Sequence, residues 1–259
     1  MVGHPVGHSR SPAMQSAALA GLGLAPEWEY GAIDLAPSEF ESGINELADS
    51  DYAGVNVTVP HKEAALQVAD EASELARTIG AANTLIFSDT GIRAENTDGA
   101  GLAELLPSDL AGRPCLVLGA GGAARAAVWA LATAGGTISI WNRTAPRATE
   151  LAVEMECEAV ESPQTGDFAV IVNSSAAGLD GTDPFADLPL DPGGFGSDQV
   201  VVDMVYGAGP GRLVEAARSA GARASDGIDV LVAQGALSLE IWTGLAPSRE
   251  VMERAARAG

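Results

Sequence analysis

The segment from Pro114 to Gly136 constrains the fold more than any other part of the chain. An apolar stretch, PCLVL, leads through the glycine-rich sequence GAGGAA into an alanine-rich helical pattern. The pattern G-x-G-x-x-[GA] is generic alone, but between a strand and a helix it is typical of a turn that receives a dinucleotide pyrophosphate. A glycine-rich turn without a ligand is the alternative. The predicted cofactor residues here are Gly119, Ala120, Gly121, Gly122, Ala123 and Ala124.

The residues after the next apolar stretch, TISIW, indicate which dinucleotide binds. A site for NAD usually has an acidic residue there, which binds the ribose 2′-hydroxyl. This chain instead has Asn142, Arg143 and Thr144, followed by Arg147. Two guanidinium groups and a hydroxyl suit a 2′-phosphate. The sequence therefore predicts NADP, with a solvated turn as the alternative.

Alternating strand and helix patterns along the chain predict an α/β fold with two domains. The character changes near residues 98–110, so we expect a substrate domain over 1–99, completed by C-terminal helices over 228–259, and a Rossmann-like domain over 100–227. In the first half we expect helices over 11–24, 37–49 and 61–79, the first two with Ser11 and Ser38 as N-caps. The expected strands there cover 28–35, 54–59, 83–87 and 92–97.

Charge limits the classes of partner. The 259 residues include 14 Lys and Arg against 35 Asp and Glu, a formal net charge of −21. Such an acidic chain repels phosphate backbones and anionic lipids, so we expect no nucleic-acid or membrane partner. A small anionic substrate in a locally basic pocket is still compatible, and the assembly is expected to be a monomer or a homodimer.

The two cysteines, Cys115 and Cys157, are too few for a disulfide framework. No apolar run approaches the ~20 residues of a membrane span, and the first residues do not resemble a secretory signal. We therefore expect a cytoplasmic protein. His4 and His8 have no third ligand to complete a set, so we expect no metal site.

Lys62 is the only lysine in a chain with 13 arginines. Chance is one explanation. The other is a need for an amine that can exchange a proton, which a guanidinium hardly does.

Polar side chains cluster at predicted strand ends in the first half. They comprise hydroxyl, amide, ammonium and carboxylate groups, which together suit a polyhydroxylated small molecule. An ammonium can stabilise negative charge that develops on a neighbouring oxygen and can supply a proton, and a carboxylate can orient that ammonium. His61 is a rival acid, although it could also face solvent. The cluster contains His8, Ser9, Ser11, Asn56, Thr58, Lys62, Asn83, Thr84, Asn96, Thr97 and Asp98.

These motifs resemble the shikimate dehydrogenase family over nearly the whole chain. The specific pair is NVTVPHK at 56–62 with NTDG at 96–99; the glycine motif is generic. The other matching segments are GHPVGHSRSP at 3–12, GAANT at 80–84, NRT at 142–144, DMVY at 203–206 and VAQGALSLEIW at 232–242.

The resemblance implies reduction of 3-dehydroshikimate to shikimate with NADPH, in aromatic amino acid biosynthesis. It implies that Lys62 and Asp98 are the catalytic pair and that Ser9 and Ser11 bind the substrate carboxylate. Tyr206 would border the site near that carboxylate. The same resemblance places Met204 and Gly227 at the cofactor. Around the ring hydroxyls and the ketone it places Thr58, Lys62, Asn83, Asp98 and Gln234.

The chain departs from the family pattern in places. Most of the usual first strand is expected to be absent, Gln15-Ser16 replaces a usual His-Asn, and Ser175-Ala176 stands where Thr-Pro is more usual. Two other functions stay open. A quinate or aminoshikimate dehydrogenase of the same family has similar ring-binding residues. A regulatory dinucleotide-binding protein without turnover would need neither Lys62 nor Asp98.

Overall fold

A computed structural model describes residues 1–179, 181–207, 209 and 211–259. The chain divides into two compact units. The first contains Met1–Ala100 and Val232–Gly259, and the second contains Gly101–Leu231. Both boundaries lie inside helices that belong partly to each unit. The predicted α/β class is confirmed.

The first unit contains short strands and short helices. Its main sheet has four strands in the order β3-β5-β6-β4, in which β5 pairs antiparallel with β3 and β6 while β4 pairs parallel with β6. A separate parallel pair joins β1 to β2. Its first eleven elements are β1 (Val2–Gly3), α1 (Ser11–Gly21), β2 (Ile33–Asp34), α2 (Phe40–Ala48), β3 (Gly54–Asn56), α3 (Lys62–Val68), β4 (Glu71–Ala72), α4 (Glu74–Ile79), β5 (Thr84–Ser88), β6 (Gly91–Glu95) and α5 (Thr97–Ala103).

The second unit is a doubly wound sheet. Its six strands are all parallel, in the order β12-β11-β10-β7-β8-β9, and the strand order reverses between β7 and β10. Ligands of such sheets bind outside the carboxyl ends of the strands at that reversal. Its elements are β7 (Pro114–Leu118), α6 (Gly122–Thr133), β8 (Thr137–Trp141), α7 (Ala145–Glu154), β9 (Glu158–Ala159), β10 (Val170–Asn173), β11 (Val200–Asp203), α8 (Arg212–Ser219), β12 (Arg223–Ser225) and the start of α9 (Gly227–Thr243). The rest of α9 and α10 (Arg249–Ala258) belong to the first unit.

The sequence of β7 is apolar without alternation because this strand lies in the middle of the six-stranded sheet. Cys115 and Val117 pack into one hydrophobic cluster, whereas Leu116 and Leu118 pack into another. A strand of a parallel sheet that is covered on both faces has no side chain left for water. The apolar stretches of β10 and β11 are fully buried for the same reason.

The predicted strand over 28–35 is mostly wrong. Only Ile33 and Asp34 form a strand, and they pair with Val2 and Gly3. A strand needs a partner over its length, and β1 offers only two residues for pairing.

The continuous helix predicted over 61–79 is also wrong, because β4 divides it into α3 and α4. The carboxylate of Asp70 accepts the N–H of Ile92 at 2.8 Å, and β4 pairs with β6 directly after it. Pairing with a strand twenty residues away overrides the local helical pattern.

Two predicted helix caps differ from the structure. Ser11 is the first residue of α1, after Arg10 at the N-cap, and its N–H donates to the Ser9 hydroxyl oxygen at 3.2 Å. Ser38 lies inside a short 3₁₀ turn before α2, where the Glu39 carboxylate accepts the N–H of Ala36 instead. In both places a neighbouring side chain satisfies the backbone donor.

Candidate active site

Lys62 and Asp98 form a nearly buried ion pair. The Lys62 ammonium donates to Asp98 Oδ2 at 2.7 Å, and the two side chains are 12% and 6% exposed. Charges are seldom buried without a partner, because removing them from water is costly. Each charge in this pair offsets that cost for the other.

The ends of two helices hold this pair in place. Lys62 begins α3, and its carbonyl accepts the N–H of Ala82 at 2.8 Å, which ties it to the residues before β5. Asp98 lies in the first turn of α5, where a negative charge is favoured by the helix dipole. Asn96 precedes that turn, and its side-chain oxygen accepts the N–H of Gly99 at 3.0 Å.

Asn83 joins the pair's surroundings to helix α9. Its Nδ2 donates to Thr97 Oγ1 at 2.9 Å and to Gln234 Oε1 at 3.1 Å. Its Oδ1 accepts the backbone N–H of Thr97 at 2.7 Å. The structure thus brings Asn83 and Gln234 together, both buried.

Sequence reasoning missed two residues of this polar cluster. Ser238 Oγ lies 2.8 Å from Asn56 Nδ2 and 2.9 Å from both Thr84 Oγ1 and Thr97 Oγ1. The hydroxyl of Tyr30 donates to Asn56 Oδ1 at 2.7 Å. A single serine in an apolar helix was the available signal for Ser238, since a buried hydroxyl needs partners. We call Asn56, Asn83, Thr84, Thr97, Gln234 and Ser238 the amide–hydroxyl network.

The other predicted substrate residues of the first unit are less tightly held. Ser9 Oγ donates to the sulfur of Met1 at 2.8 Å. No hydrogen bond from the hydroxyl of Ser11 or Thr58 occurs within the described ranges. These hydroxyls keep their hydrogen-bonding capacity for a ligand.

The sequence left open that His61 faces solvent, and the structure shows that it does not. It is buried, its Nε2 donates to the Leu35 carbonyl at 2.8 Å, and its ring stacks on Phe40 at 4.4 Å. These contacts give His61 a packing role. Over the described residues no cluster of three or more His, Cys, Asp or Glu could hold a metal ion.

The glycine-rich turn in the second unit has the geometry that a pyrophosphate needs. Gly119 has φ +121°, and a methyl group there would lie 2.8 Å from Ser174 Oγ. Gly121 is extended, and the described residues leave open space where its side chain would be. The fold therefore requires glycine at 119, whereas glycine at 121 leaves room for a group outside the chain. The first N–H groups of α6 have no partner within the helix and can donate to an anion, and Ala124 is fully buried.

Two arginines follow β8 without close partners. Arg143 is 82% exposed and its guanidinium lies 3.8 Å from Asp187. Arg147 is exposed, and no described residue forms an ion pair with it. Asn142 Nδ2 donates to the Thr144 carbonyl at 3.0 Å, which shapes the turn before α7. This group of residues fits the 2′-phosphate of NADP.

A buried carboxylate lies where β10 and β11 end. Asp203 Oδ1 accepts from Asn173 Nδ2 at 2.8 Å and from the N–H of Val205 at 3.1 Å. Burial raises the pKa of Asp203 to about 6, and the nearby Asp226 adds to the rise. Sequence reasoning did not select Asp203, although it starts the DMVY segment.

Met204, Tyr206 and Gly227 also lie in the second unit. The N–H of Met204 donates to the Asn173 carbonyl at 2.8 Å. A methyl group at Gly227 would lie 2.5 Å from the carbonyl of Val205, so α9 begins directly against this segment. The predicted site residues are thus divided between the two units, with the cofactor set entirely in the second.

Comparisons with known proteins agree with this architecture. Residues 1–85 match the family described as shikimate dehydrogenase substrate binding domain. Residues 101–175 match shikimate / quinate 5-dehydrogenase, and residues 227–257 match the shikimate 5'-dehydrogenase C-terminal domain. In the described part of the chain, no helix has both the length and the apolar character needed to cross a membrane.

Individual relatives align over nearly their whole length. The chain is 39% identical to shikimate dehydrogenase (NADP(+)) of Shouchella clausii, and the aligned region covers 99% of this chain and 96% of the relative. The solved shikimate 5-dehydrogenase of Thermus thermophilus, in complex with NADP(H) and shikimate, has a TM-score of 0.89 and 38% identity, covering 99% and 97% of the two chains. The ligand-free 5-ketofructose reductase of Gluconobacter sp. has a TM-score of 0.86 and 30% identity, covering 99% and 96%.

Similarity of this extent, spread over both units and over all three family matches, identifies the chain as a member of the shikimate dehydrogenase family.

Proposed function

We propose that this protein is an NADP-dependent shikimate dehydrogenase, which reversibly reduces the ketone of 3-dehydroshikimate to the hydroxyl of shikimate. The observation that carries the proposal is the Lys62–Asp98 pair, 2.7 Å apart and nearly buried beside neutral hydrogen-bonding groups. A regulatory protein without turnover would gain nothing from burying this pair. The relatives named above carry the same activity or a related ketone reduction in their names.

Residues of the second unit hold the cofactor in this proposal. The turn from Gly119 to Ala124 receives the pyrophosphate on the N–H groups of α6, and Arg143, Thr144 and Arg147 bind the 2′-phosphate. Asn142 shapes that turn, while Met204 and Gly227 border the nicotinamide end. When bound, NADPH supplies the hydride.

Residues of the first unit bind the substrate. The hydroxyls of Ser9 and Ser11 bind its carboxylate, and that of Thr58 adds to the polar surroundings. Asn83 and Gln234 bind ring hydroxyls through their amides. Neutral donors and acceptors of this kind orient a polyol without adding charge.

Lys62 and Asp98 perform the proton chemistry. As the carbonyl carbon accepts the hydride, negative charge develops on the ketone oxygen, and the Lys62 ammonium stabilises it and transfers a proton to it. Asp98 orients the ammonium through their hydrogen bond. In the reverse direction the Lys62 amine accepts the proton of the shikimate hydroxyl.

The decisive experiment is initial-rate spectrophotometry at 340 nm with shikimate and quinate, each with NADP and with NAD. We expect turnover of shikimate with NADP to exceed the other three combinations. Faster turnover of quinate would favour the quinate enzyme of the same family, and no turnover with either substrate would contradict the proposal. A cytoplasmic location, the absence of nucleic-acid or membrane partners and a monomeric or homodimeric state remain predictions from the sequence.

A further inference from the structure

Thr97 occupies the centre of the amide–hydroxyl network, although no role in binding or chemistry has been given to it above. Its side chain is 3% exposed. Its hydroxyl oxygen lies 2.9 Å from Asn83 Nδ2, 2.9 Å from Ser238 Oγ and 3.3 Å from Thr84 Oγ1. Thr97 also directly precedes Asp98 in the first turn of α5.

Thr97 determines which way the amide of Asn83 faces. A backbone N–H can only donate, so the N–H of Thr97, 2.7 Å away, requires the oxygen of the Asn83 amide on its side. The Thr97 hydroxyl oxygen lies 2.9 Å from Asn83 Nδ2, from which it accepts, and 3.2 Å from Asn83 Oδ1. Rotating the amide by 180° would set N–H against N–H. The N–H of Thr97 therefore selects the orientation of the amide, and its hydroxyl supplies the acceptor for the nitrogen in that orientation.

This orientation is passed on to helix α9 by two routes. With its nitrogen directed by Thr97, Asn83 donates to Gln234 Oε1 at 3.1 Å, which fixes the orientation of the second amide. Since the Thr97 hydroxyl accepts from Asn83, its own proton is available to Ser238 Oγ or to Asn83 Oδ1, and Ser238 donates to the backbone carbonyl of Gln234 at 3.0 Å. Both routes end at Gln234.

We propose that Thr97 is a positioning residue for the reaction, which orients the amides of Asn83 and Gln234 toward the substrate through its N–H and its hydroxyl. The inference rests on the proposed function, because those two amides are its substrate-binding groups. Buried networks have this effect when every member is satisfied, since each hydrogen bond then excludes the alternative orientation of its neighbour. Thr97 itself touches no reacting atom.

The test compares Thr97→Val with Thr97→Ser. Valine keeps the shape of the side chain and the backbone N–H but removes the hydroxyl, whereas serine keeps the hydroxyl. For Thr97→Val we expect the KM for shikimate to rise about 5- to 30-fold, with kcat within about threefold and the KM for NADP unchanged. This pattern is expected when substrate binding is weakened and the chemical step is not. Thr97→Ser should stay within about threefold of the wild type in all three constants.

Two controls separate positioning from general destabilisation. Ile44→Val shortens a fully buried side chain in α2, away from the network, and is matched to Thr97→Val by melting temperature. It should leave the KM for shikimate unchanged. If Ile44→Val raises the KM as much as Thr97→Val does, or if Thr97→Val has the KM of the wild type, the proposal is overturned.

A second measurement does not depend on turnover. In ¹⁵N-labelled protein without ligand, the Asn83 side-chain amide signals, assigned by their loss in Asn83→Asp, should exchange slowly with water and should shift and exchange faster in Thr97→Val. Unchanged signals would overturn the inference even if shikimate is a substrate. If the wild type instead fails to oxidise shikimate, the proposed function fails, and these signals still decide whether Thr97 orients Asn83.

Discussion

The two units stabilise their polar groups in different ways. In the first, the Lys62–Asp98 pair and the amide–hydroxyl network are buried and have their partners within the protein. In the second, the cationic group after β8 is exposed, and Arg143 has only Asp187 at 3.8 Å. Groups that are already held lose little freedom when a ligand binds, whereas exposed groups must be ordered by the ligand itself. The polar groups of the first unit are thus held in place before a ligand binds. We expect the exposed cationic group after β8 to be ordered only by its ligand.

The largest effect should follow from changing the organised pair. Lys62→Arg keeps the charge but replaces a compact ammonium with a guanidinium that hardly exchanges its protons, so we expect kcat to fall by about 10²- to 10⁴-fold. Affinity for NADP, measured by fluorescence titration, should hardly change, because the cofactor set lies in the other unit.

The partner variant sharpens this result. Asp98→Asn should also lose turnover, and the double variant should lose much less than the product of the two single losses, since the two residues act as a unit. Near-normal turnover in Lys62→Arg would mean that the pair supplies only positive charge, and the proton would then come from another group.

Arg143→Ala tests the exposed cationic group after β8. An Arg–phosphate contact contributes about 1.5–3 kcal/mol, so the KM for NADP should rise roughly 10- to 150-fold while the KM for NAD stays nearly unchanged. Arg254→Ala, an exposed arginine of α10 that pairs with Glu250, is the matched control and should change neither constant. Equal losses with both cofactors would contradict the assignment of Arg143 to the 2′-phosphate.

The second unit also has a buried acid, which should make its stability depend on pH. Because burial raises the pKa of Asp203 from 3.8 to about 6, the folded chain binds this proton more tightly than the unfolded chain does. The contribution of Asp203 to the free energy of unfolding therefore falls as the pH rises from about 4 to about 6, by up to about 3 kcal/mol. Asp203→Asn keeps the acceptor for Asn173 and Val205 without the charge.

Urea unfolding of the wild type and Asp203→Asn at pH 4.5 and 7.5 measures this contribution. The stability of the variant relative to the wild type should increase at the higher pH. Asp34→Asn is the control and should show no such change between these pH values, because the hydrogen bond from His4 lowers the pKa of Asp34 and its contribution is lost only as the pH falls below the ordinary value of 3.8. A relative stability of Asp203→Asn that is the same at both pH values would contradict the raised pKa.

Ser11→Ala should have the smallest effect on stability. Ser11 is not the N-cap of α1, so its loss should change the free energy of unfolding by less than about 0.5 kcal/mol, whereas a lost cap would cost about 1 kcal/mol. The KM for shikimate should rise about fivefold, as for one neutral hydrogen bond. A lower melting temperature with an unchanged KM would instead support a purely structural role.

Local sequence predicted the elements whose partners are close in the chain. The β5–β6 hairpin closely matches its predicted strands, because the turn at Asp89, Thr90 and Gly91 joins adjacent alternating segments. The strand–turn–helix around Gly119 was equally readable. The helix over 61–79 was not, since β4 forms only by pairing with β6.

The same distinction applies to the site. Lys62 and Asp98 could be selected because their motifs are specific, and the structure brings them together. Tyr30 could not be selected, and Ser238 offered only the signal of a single serine in an apolar helix, because the partners of a hydroxyl become visible only when distant segments meet. Ser238 is 182 residues from Asn56 along the chain.

The position of α9 has a consequence for biosynthesis. The second unit is one continuous stretch, Gly101–Leu231, but the first unit consists of Met1–Ala100 and Val232–Gly259. On the ribosome, Asn56, Thr84 and Thr97 emerge long before Ser238, so each of them lacks one of its final hydrogen-bond partners until α9 is made. The second unit can therefore finish folding while the first is still incomplete. The polar surroundings of the residues proposed to carry the chemistry are therefore completed only after the whole of the second unit and α9 have been made.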